Sequence, residues 1–321
     1  MYANRRSLYE EHKNAWQIEP KTFQSIKASA PAIQFISKER IRDELIKILE
    51  SRGAYEGLLL LHKTGLLKYI IPELELGVGV TQNRHHIYTV FKHSLLSLKY
   101  AAEYNYNLNV RIAALLHDIA KPEAKQGEGP NSTFYNHDIA GARIAIRILS
   151  RLKFPKNTVE KVGMLIRYHM FFYDPETVTE SSVRRLLRKA GKENKEELIQ
   201  VRICDRKGMG RPKAKPYRLR HFEYIISKVS KDPISVKMLK INGQDVMKIL
   251  NIGSGPRVGL VLNALLSEVL DDPRKNKKEY LQKRAGEMQR FSDKELQGME
   301  KKIEEKKTEV EMEEKRKFYV H

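Results

Sequence analysis

LLHDIAKP, residues 115–122, is the stretch on which the fold of this chain turns. An apolar helical run ends in His117 and Asp118 side by side, and Lys121 follows three residues later. An imidazole and a carboxylate together make a poor core element. They make a good start on a divalent metal site, because both offer lone pairs to a hard or borderline cation. Pro122 predicts that the helix stops beside the pair, where a cleft can open. The dipeptide alone is a weak signal, and its weight comes from other polar residues at helical positions.

Working outward, helical spacing of apolar residues dominates. Helices are expected over 38–51, capped near Ser37, then 54–62 and 64–70, split near Thr64 and Gly65. Others are expected over 88–104, 109–120, 137–152, 156–169, 181–190, 193–207 and 216–230. NGQDVMKIL and GPRVGLVLNALLSEVL read as two short helices around the turn at Gly253 to Gly255. Residues 274–316 are charged and mostly free of Gly and Pro, which predicts one long solvated helix. No segment alternates as a strand does and no repeat recurs, so the fold class is all-α.

His93 falls within the helix at 88–104, and His117 and Asp118 close the next one. His137 opens a helix 20 residues after His117, His169 ends one 32 residues further on, and Asp205 lies 36 residues beyond that. Histidines and carboxylates contributed by separate antiparallel helices are how bundles build metal centres. A set without thiolate suits manganese, iron, nickel, magnesium or zinc, as one ion or two. Two ions about 3.5–4 Å apart can clamp the oxygens of a phosphate ester, with Asp118 the natural bridge. Lys121 would neutralise charge growing on a phosphoryl group, and Arg143 is a further candidate phosphate contact. Each residue has a bland alternative. A lone helical histidine is usually packed and hydrogen-bonded, and Asp205 can simply pair with Arg202 or Arg206.

The chain of 321 residues is 41% hydrophobic and 31% charged, with a net charge of +20. No apolar stretch reaches the roughly 20 residues of a membrane helix. The opening MYANRRSLYEEHK has no apolar signal core, so a cytoplasmic protein without membrane contact is expected. The single cysteine, Cys204, excludes an internal disulfide framework and a Cys-rich zinc site, and reads as a buried helix residue. Residues 184–231 hold sixteen Lys and Arg against five Asp and Glu, a local net of +11, whereas 282–321 are nearly balanced. A phosphate-rich partner follows, with RNA the leading candidate. Arg211, Lys213, Lys215, Tyr217, Arg218 and Arg220, in RPKAKPYRLR with Phe222 just beyond, combine cations that follow a backbone with rings that stack on bases. A merely solvated loop is the competing reading.

His93, His117–Asp118 and Asp205 resemble the ligand set of the HD-domain metal-dependent phosphohydrolases. That resemblance implies that these four hold a first metal. His137 and His169 are similar to the histidines that two-metal members add for a second. A wider resemblance runs over roughly residues 16–284. IEPKTFQSI, ISKERIRDELIKILES, GLLLLHKTGLLKYIIPEL, GVGVTQNRHHIYTVFKHSL and INGQDVMKIL resemble the C-terminal part of bacterial CCA-adding tRNA nucleotidyltransferases. In that family these segments form helical neck and body regions that hold tRNA, with an HD domain in some members. The family's catalytic head would precede residue 1. The opening residues supply neither a Gly-Ser pair with spaced aspartates nor a nucleotide-templating motif, so nucleotide addition is not expected. His85 and His86, in the shared GVGVTQNRHHIYTV stretch, read as site-edge or structural residues.

The expectation is thus an all-α chain with a neck-like region at 1–80, an HD phosphohydrolase domain at 81–210, a basic helical body at 211–281 and a charged helix at 282–321. It would hydrolyse phosphate mono- or diesters, including 2′,3′-cyclic phosphates, on tRNA or other RNA ends. Two alternatives stand beside this. One is hydrolysis of free or signalling nucleotides. The other is a non-catalytic tRNA-binding protein, or the accessory half of a split nucleotidyltransferase. The end helix would serve homo-oligomers or a nucleotidyltransferase partner.

Overall fold

The structure, a computed structural model, describes residues 18–83, 87–171, 173–210 and 216–298. The chain folds as sixteen α-helices among the described residues. The first five are α1 (Pro20–Ser29), α2 (Lys38–Glu50), α3 (Ala54–Lys63), α4 (Leu67–Ile70) and α5 (Pro72–Glu75). Then come α6 (Val90–Glu103), α7 (Leu108–Leu116), α8 (Lys121–Ala124), α9 (His137–Arg151) and α10 (Lys156–Tyr168). The last six are α11 (Glu180–Ala190), α12 (Lys195–Gly208), α13 (Tyr217–Val229), α14 (Gly243–Leu250), α15 (Pro256–Asp271) and α16 (Lys278–Glu287). An isolated antiparallel bridge joins Gln126 and Thr133, and the described residues form no strand. The all-α expectation holds.

Helix α7 lies at the centre, packed against α6, α10 and α12. Every residue from Val110 to Leu116 is buried, so this helix is apolar on all sides, as a core helix must be. Its start is fixed by Asn107, whose side chain accepts from the Val110 N–H at 3.1 Å. Arg111 is the exception to its apolar character. Its guanidinium donates to the carbonyls of Leu49, Ser51 and Tyr106 at 2.8, 3.0 and 2.8 Å, and so closes the end of α2. One continuous core runs from Ile41 to Leu296.

The helix carrying LLHD stops earlier than Pro122 would impose. It ends at Leu116, a turn carries His117 to Ala120, and Pro122 sits inside the new short helix α8, where its missing N–H costs nothing. Gly65, with φ of +72°, makes the expected break after Thr64. Helix α1 and the 3₁₀ segment Ala30–Phe35 gave no apolar signal, because α1 buries none of its residues.

The long end helix is a correction. Pro273–Lys275 form a 3₁₀ turn, α16 covers ten residues, and a second 3₁₀ turn at Met288–Arg290 leads into extended Phe291. The cause is docking rather than solvation. Leu281, Ala285, Met288 and Leu296 are buried, and Arg284 binds Glu268 at 2.8 Å. Residues 299–321 lie outside the described residues.

Candidate metal centre

Three histidines of the centre stand at helix ends, two of them at C-termini, where backbone carbonyls lack intrahelical donors. His117 caps α7, His137 opens α9 and His169 caps α10. Their Nδ1 atoms lie 2.9, 2.6 and 2.7 Å from the carbonyls of Ala114, Phe134 and Ile166, each three residues back. A carbonyl only accepts, so Nδ1–H donates and Nε2 is turned toward the interior. This is the arrangement by which an outer partner orients an imidazole ligand. Asn136, at φ of +58°, bends the chain so that His137 starts its helix facing inward.

The six expected ligands converge, and none is more than 6% exposed. His93 Nε2, from the middle of α6, lies 3.0 Å from His117 Nε2, 3.2 Å from Asp118 Oδ2 and 3.3 Å from Asp205 Oδ1. His117 Nε2 is 3.3 Å from Asp118 Oδ2 and 3.6 Å from Asp205 Oδ1. The other oxygen of Asp118 faces a different pair. Oδ1 is 3.4 Å from His137 Nε2 and 3.9 Å from His169 Nε2. Two groups of side chains that could hold a metal ion thus share Asp118.

The electrostatics separate the two groups. Burial pushes the Asp118 carboxyl up, but His117 and Lys121 outweigh it and hold it well below the usual range. Burial likewise pushes Asp205 up, and Arg202 and His117 hold it well down. Burial lowers His117, yet the two carboxylates reverse this and raise it to about 10. His169 is lowered well below its ordinary value by burial and by the neighbouring charge of His117, and His137 is also lowered, mainly by burial. The Nε2 atoms of His137 and His169 are buried without a hydrogen-bond partner. Leaving a buried acceptor unpaired costs about 1–3 kcal/mol. Two such nitrogens facing one carboxylate oxygen are what a cation site requires, so this donor set fits a divalent metal.

Lys121 Nζ lies 2.7 Å from Asp118 Oδ2, donates to Gln82 Oε1 at 2.6 Å and stands over the Phe134 ring. Asp205 faces two ways: Oδ1 lies 3.3 Å from His93 Nε2, and Oδ2 accepts from Arg202 at 2.7 Å. Arg206 instead donates to Tyr173 Oη at 2.9 Å. Arg143 is exposed on the outer face of α9, and no ion pair joins it to the centre among the described residues. His85, His86, Arg211, Lys213 and Lys215 lie outside the described residues. Tyr217, Arg218 and Arg220 are exposed at the start of α13, where Arg218 pairs with Asp174 at 2.6 Å. Phe222 is a correction: it is buried and stacks on Phe171 at 4.7 Å, so it is not available to a nucleic acid. Cys204 is buried beside Ala101 and Ala114, and burial pushes its thiol pKa up, as an inert core residue requires.

Two contributors escaped the sequence. Gln82 precedes α6 in a loop and has no periodicity to mark it. Gly208 ends α12 three residues after Asp205. A Cβ there would collide with Ser97 Oγ and stand 3.1 Å from His93 Nδ1. Its absence lets α12 cross α6 closely enough for Asp205 to meet His93.

Residues 90–209, which contain all six converging side chains, match the family described as HD domain. Residues 16–76 match the family described as probable RNA and SrmB-binding site of polymerase A. Among individual proteins, the chain is similar to the C-terminal part of tRNA nucleotidyltransferases. It is 31% identical over 266 residues to the A-adding tRNA nucleotidyltransferase of Deinococcus radiodurans, covering 78% of this chain and 60% of that protein. It is 32% identical over 235 residues to the CC-adding tRNA nucleotidyltransferase of Thermus thermophilus, covering 72% and 52%. A multifunctional CCA protein of Neisseria meningitidis is 28% identical over 185 residues, covering 56% and 44%. The chain therefore spans about half the length of these relatives. No helix among the described residues is long and apolar enough to cross a membrane.

Proposed function

We propose that this chain is a divalent-metal-dependent phosphohydrolase acting on the ends of tRNA or other RNA, including 2′,3′-cyclic phosphates. The observation that carries the proposal is the division of Asp118. Its two oxygens face two separate histidine pairs, one of which has both Nε2 atoms buried and unpartnered. Bound divalent cations supply Lewis-acid polarisation of a phosphoryl group. His93, His117, Asp118 and Asp205 would hold one, and Asp118 with His137 and His169 the other. Arg202 fixes the second oxygen of Asp205 and so turns the first toward His93. Lys121, held by Gln82, places a positive charge beside Asp118 to meet an anionic substrate. The RNA preference draws on the family matched by residues 16–76, the names of the relatives and the net charge of +20. The cytoplasmic setting, the division at residues 80, 210 and 281, and a nucleotidyltransferase partner belong to the same proposal.

A tRNA-holding accessory to nucleotide addition is the second reading, favoured by what the relatives are named for. One experiment separates the two. Metal-free protein is supplied with manganese, nickel or magnesium and assayed on bis-p-nitrophenyl phosphate and on RNA ending in a 2′,3′-cyclic phosphate. Metal-dependent turnover that disappears in Asp118→Asn supports the hydrolase. Turnover equal to the parent in that variant, or none with any of the three metals, rejects it.

A further inference from the structure

On α13, Tyr217, His221 and Tyr224 occupy positions i, i+4 and i+7, which share one face of a helix. Tyr217 is 66% exposed and Tyr224 62%, although a large ring is ordinarily sheltered in a folded chain. Neighbouring ring centroids are 6.1 Å and 6.5 Å apart, and the planes are inclined by 33° and 43°. The opposite face of the same helix is the packed one: Leu219, Phe222, Ile225, Ile226 and Val229 are buried. Tyr217 and Tyr224 therefore contribute nothing to the core and stand on the surface, with His221, half-buried and with its Nδ1 shut off from solvent, between them.

What would cover this row is indicated by the charge around it. Arg220 and Lys228, the latter ion-paired with Glu180, flank the rings on the exposed side, and the 48 residues from 184 to 231 that contain α13 carry a net charge of +11. The exposed positions of α13 are Tyr217, Arg218, Arg220, Tyr224, Ser227 and Lys228, so rings and cations share this face. Rings interleaved with cations are the surface that takes an unpaired nucleic acid strand, because every base has a face to stack and every phosphate a charge to neutralise. The start of the row is tied to the segment that follows His169. Arg218, beside Tyr217, pairs at 2.6 Å with Asp174, five residues after His169, and Phe222 stacks on Phe171 in the same segment.

We propose that Tyr217, His221 and Tyr224 form a stacking ladder for unpaired RNA bases, leading a single-stranded end toward the segment that leaves His169. This rests on the RNA preference of the proposed function and is independent of whether the centre hydrolyses anything.

The test measures binding of the full chain, by fluorescence anisotropy, to an unpaired RNA of roughly 10 nucleotides and to a blunt RNA hairpin. Tyr217→Leu and Tyr224→Leu remove a ring from the surface and leave the core intact, which circular dichroism and thermal melting confirm. Each should weaken the unpaired RNA about fivefold to a hundredfold, while Tyr217→Phe and Tyr224→Phe bind as the parent does. Hairpin binding, dominated by phosphate contacts, should change little. Leucine variants that bind unpaired RNA like the parent overturn the ladder. So do phenylalanine variants that lose as much as leucine, and an equal loss on the hairpin. A chain with no turnover that still loses RNA affinity on Tyr224→Leu would reject the hydrolase and leave the ladder standing.

Discussion

Gly208→Ala tests whether the close crossing of α12 over α6 assembles the first half of the centre. Gly208 is helical, so its backbone does not demand glycine, and by helix propensity alone alanine would stabilise by up to about 1 kcal/mol. Packing acts in the opposite direction. The new methyl would collide with Ser97 Oγ and lie 3.1 Å from both His93 Nδ1 and Ser97 N. Ordinary carbon contacts need about 3.5–4.0 Å, so the helices must part by several tenths of an ångström. Overpacking of this kind costs about 1–3 kcal/mol, which leaves a net loss of roughly 0–2 kcal/mol. The larger effect falls on the ligands. Metal sites tolerate about 0.2 Å of ligand displacement, and Asp205 rides on the helix that must move away from His93. Affinity for one ion should fall roughly tenfold to a hundredfold, the scale seen when support for a ligand is lost. The second ion should bind as before, because Asp118, His137 and His169 come from other elements. Calorimetric titration of metal-free protein with manganese resolves the two steps, and urea unfolding gives the stability. An alanine variant that is more stable by about 1 kcal/mol, with both binding steps unchanged, would refute the reasoning.

Metal binding should release a proton from His117, whose pKa the two carboxylates raise to about 10 against the opposing effect of burial. A folded value above the unfolded one, about 6.5, means that this pairing stabilises the metal-free protein fully below about pH 6.5. That stability is lost as the pH rises through about 10, so melting of the metal-free chain should fall across this window. Calorimetry near neutral pH in two buffers of different ionisation enthalpy counts the released proton, and identical heats in both would contradict the assignment. Arg111→Met removes the donor that serves Leu49, Ser51 and Tyr106 and should cost about 2–4 kcal/mol without altering metal affinity. An unchanged urea midpoint would show that water replaces the guanidinium.

Most of the helices were legible because burial imposes a period on the sequence. Helix α7 is buried from Val110 to Leu116 with Arg111 its one charged member, and α9, α10 and α11 each present one buried face. The centre was legible for a related reason. His117 and Asp118 at the end of an apolar run were a weak signal alone, and the other histidines and Asp205 at helical positions around them gave the set its weight. The distances that join them were not legible. The pairing of Asp118 Oδ1 with His137 depends on how α9 lies against α10, and the role of Gly208 depends on a crossing of α12 and α6. Such distances between helices have no counterpart in the spacing along one helix. The end of the chain misled because charge density was read as solvation, while the few apolar residues Leu281, Ala285 and Met288 were enough to dock α16. Phe222 misled in the same way, since a ring near basic residues looks alike whether it faces RNA or Phe171.

The charges within the centre bear on substrate class. Lys121 lies 2.7 Å from Asp118 Oδ2 and Arg202 lies 2.7 Å from Asp205 Oδ2. Two carboxylates are therefore already matched by two permanent cations, and His117 adds a third positive charge that a metal would displace. Any divalent ion then adds charge that nothing among these side chains offsets. In a buried site such an excess is barely screened and calls for a multiply charged anion, which a phosphate group supplies. The outer surface makes the same selection by another route, since a net charge of +20 attracts polyanions over a distance that salt limits to about 8–10 Å. The two fields arise from different residues: the ligand helices carry one, and the exposed basic side chains, among them those around Tyr217 and Tyr224, carry the other. Their agreement on a phosphate-bearing polymer is stronger support for an RNA substrate than either would be alone, because a small-nucleotide enzyme would require only the inner one.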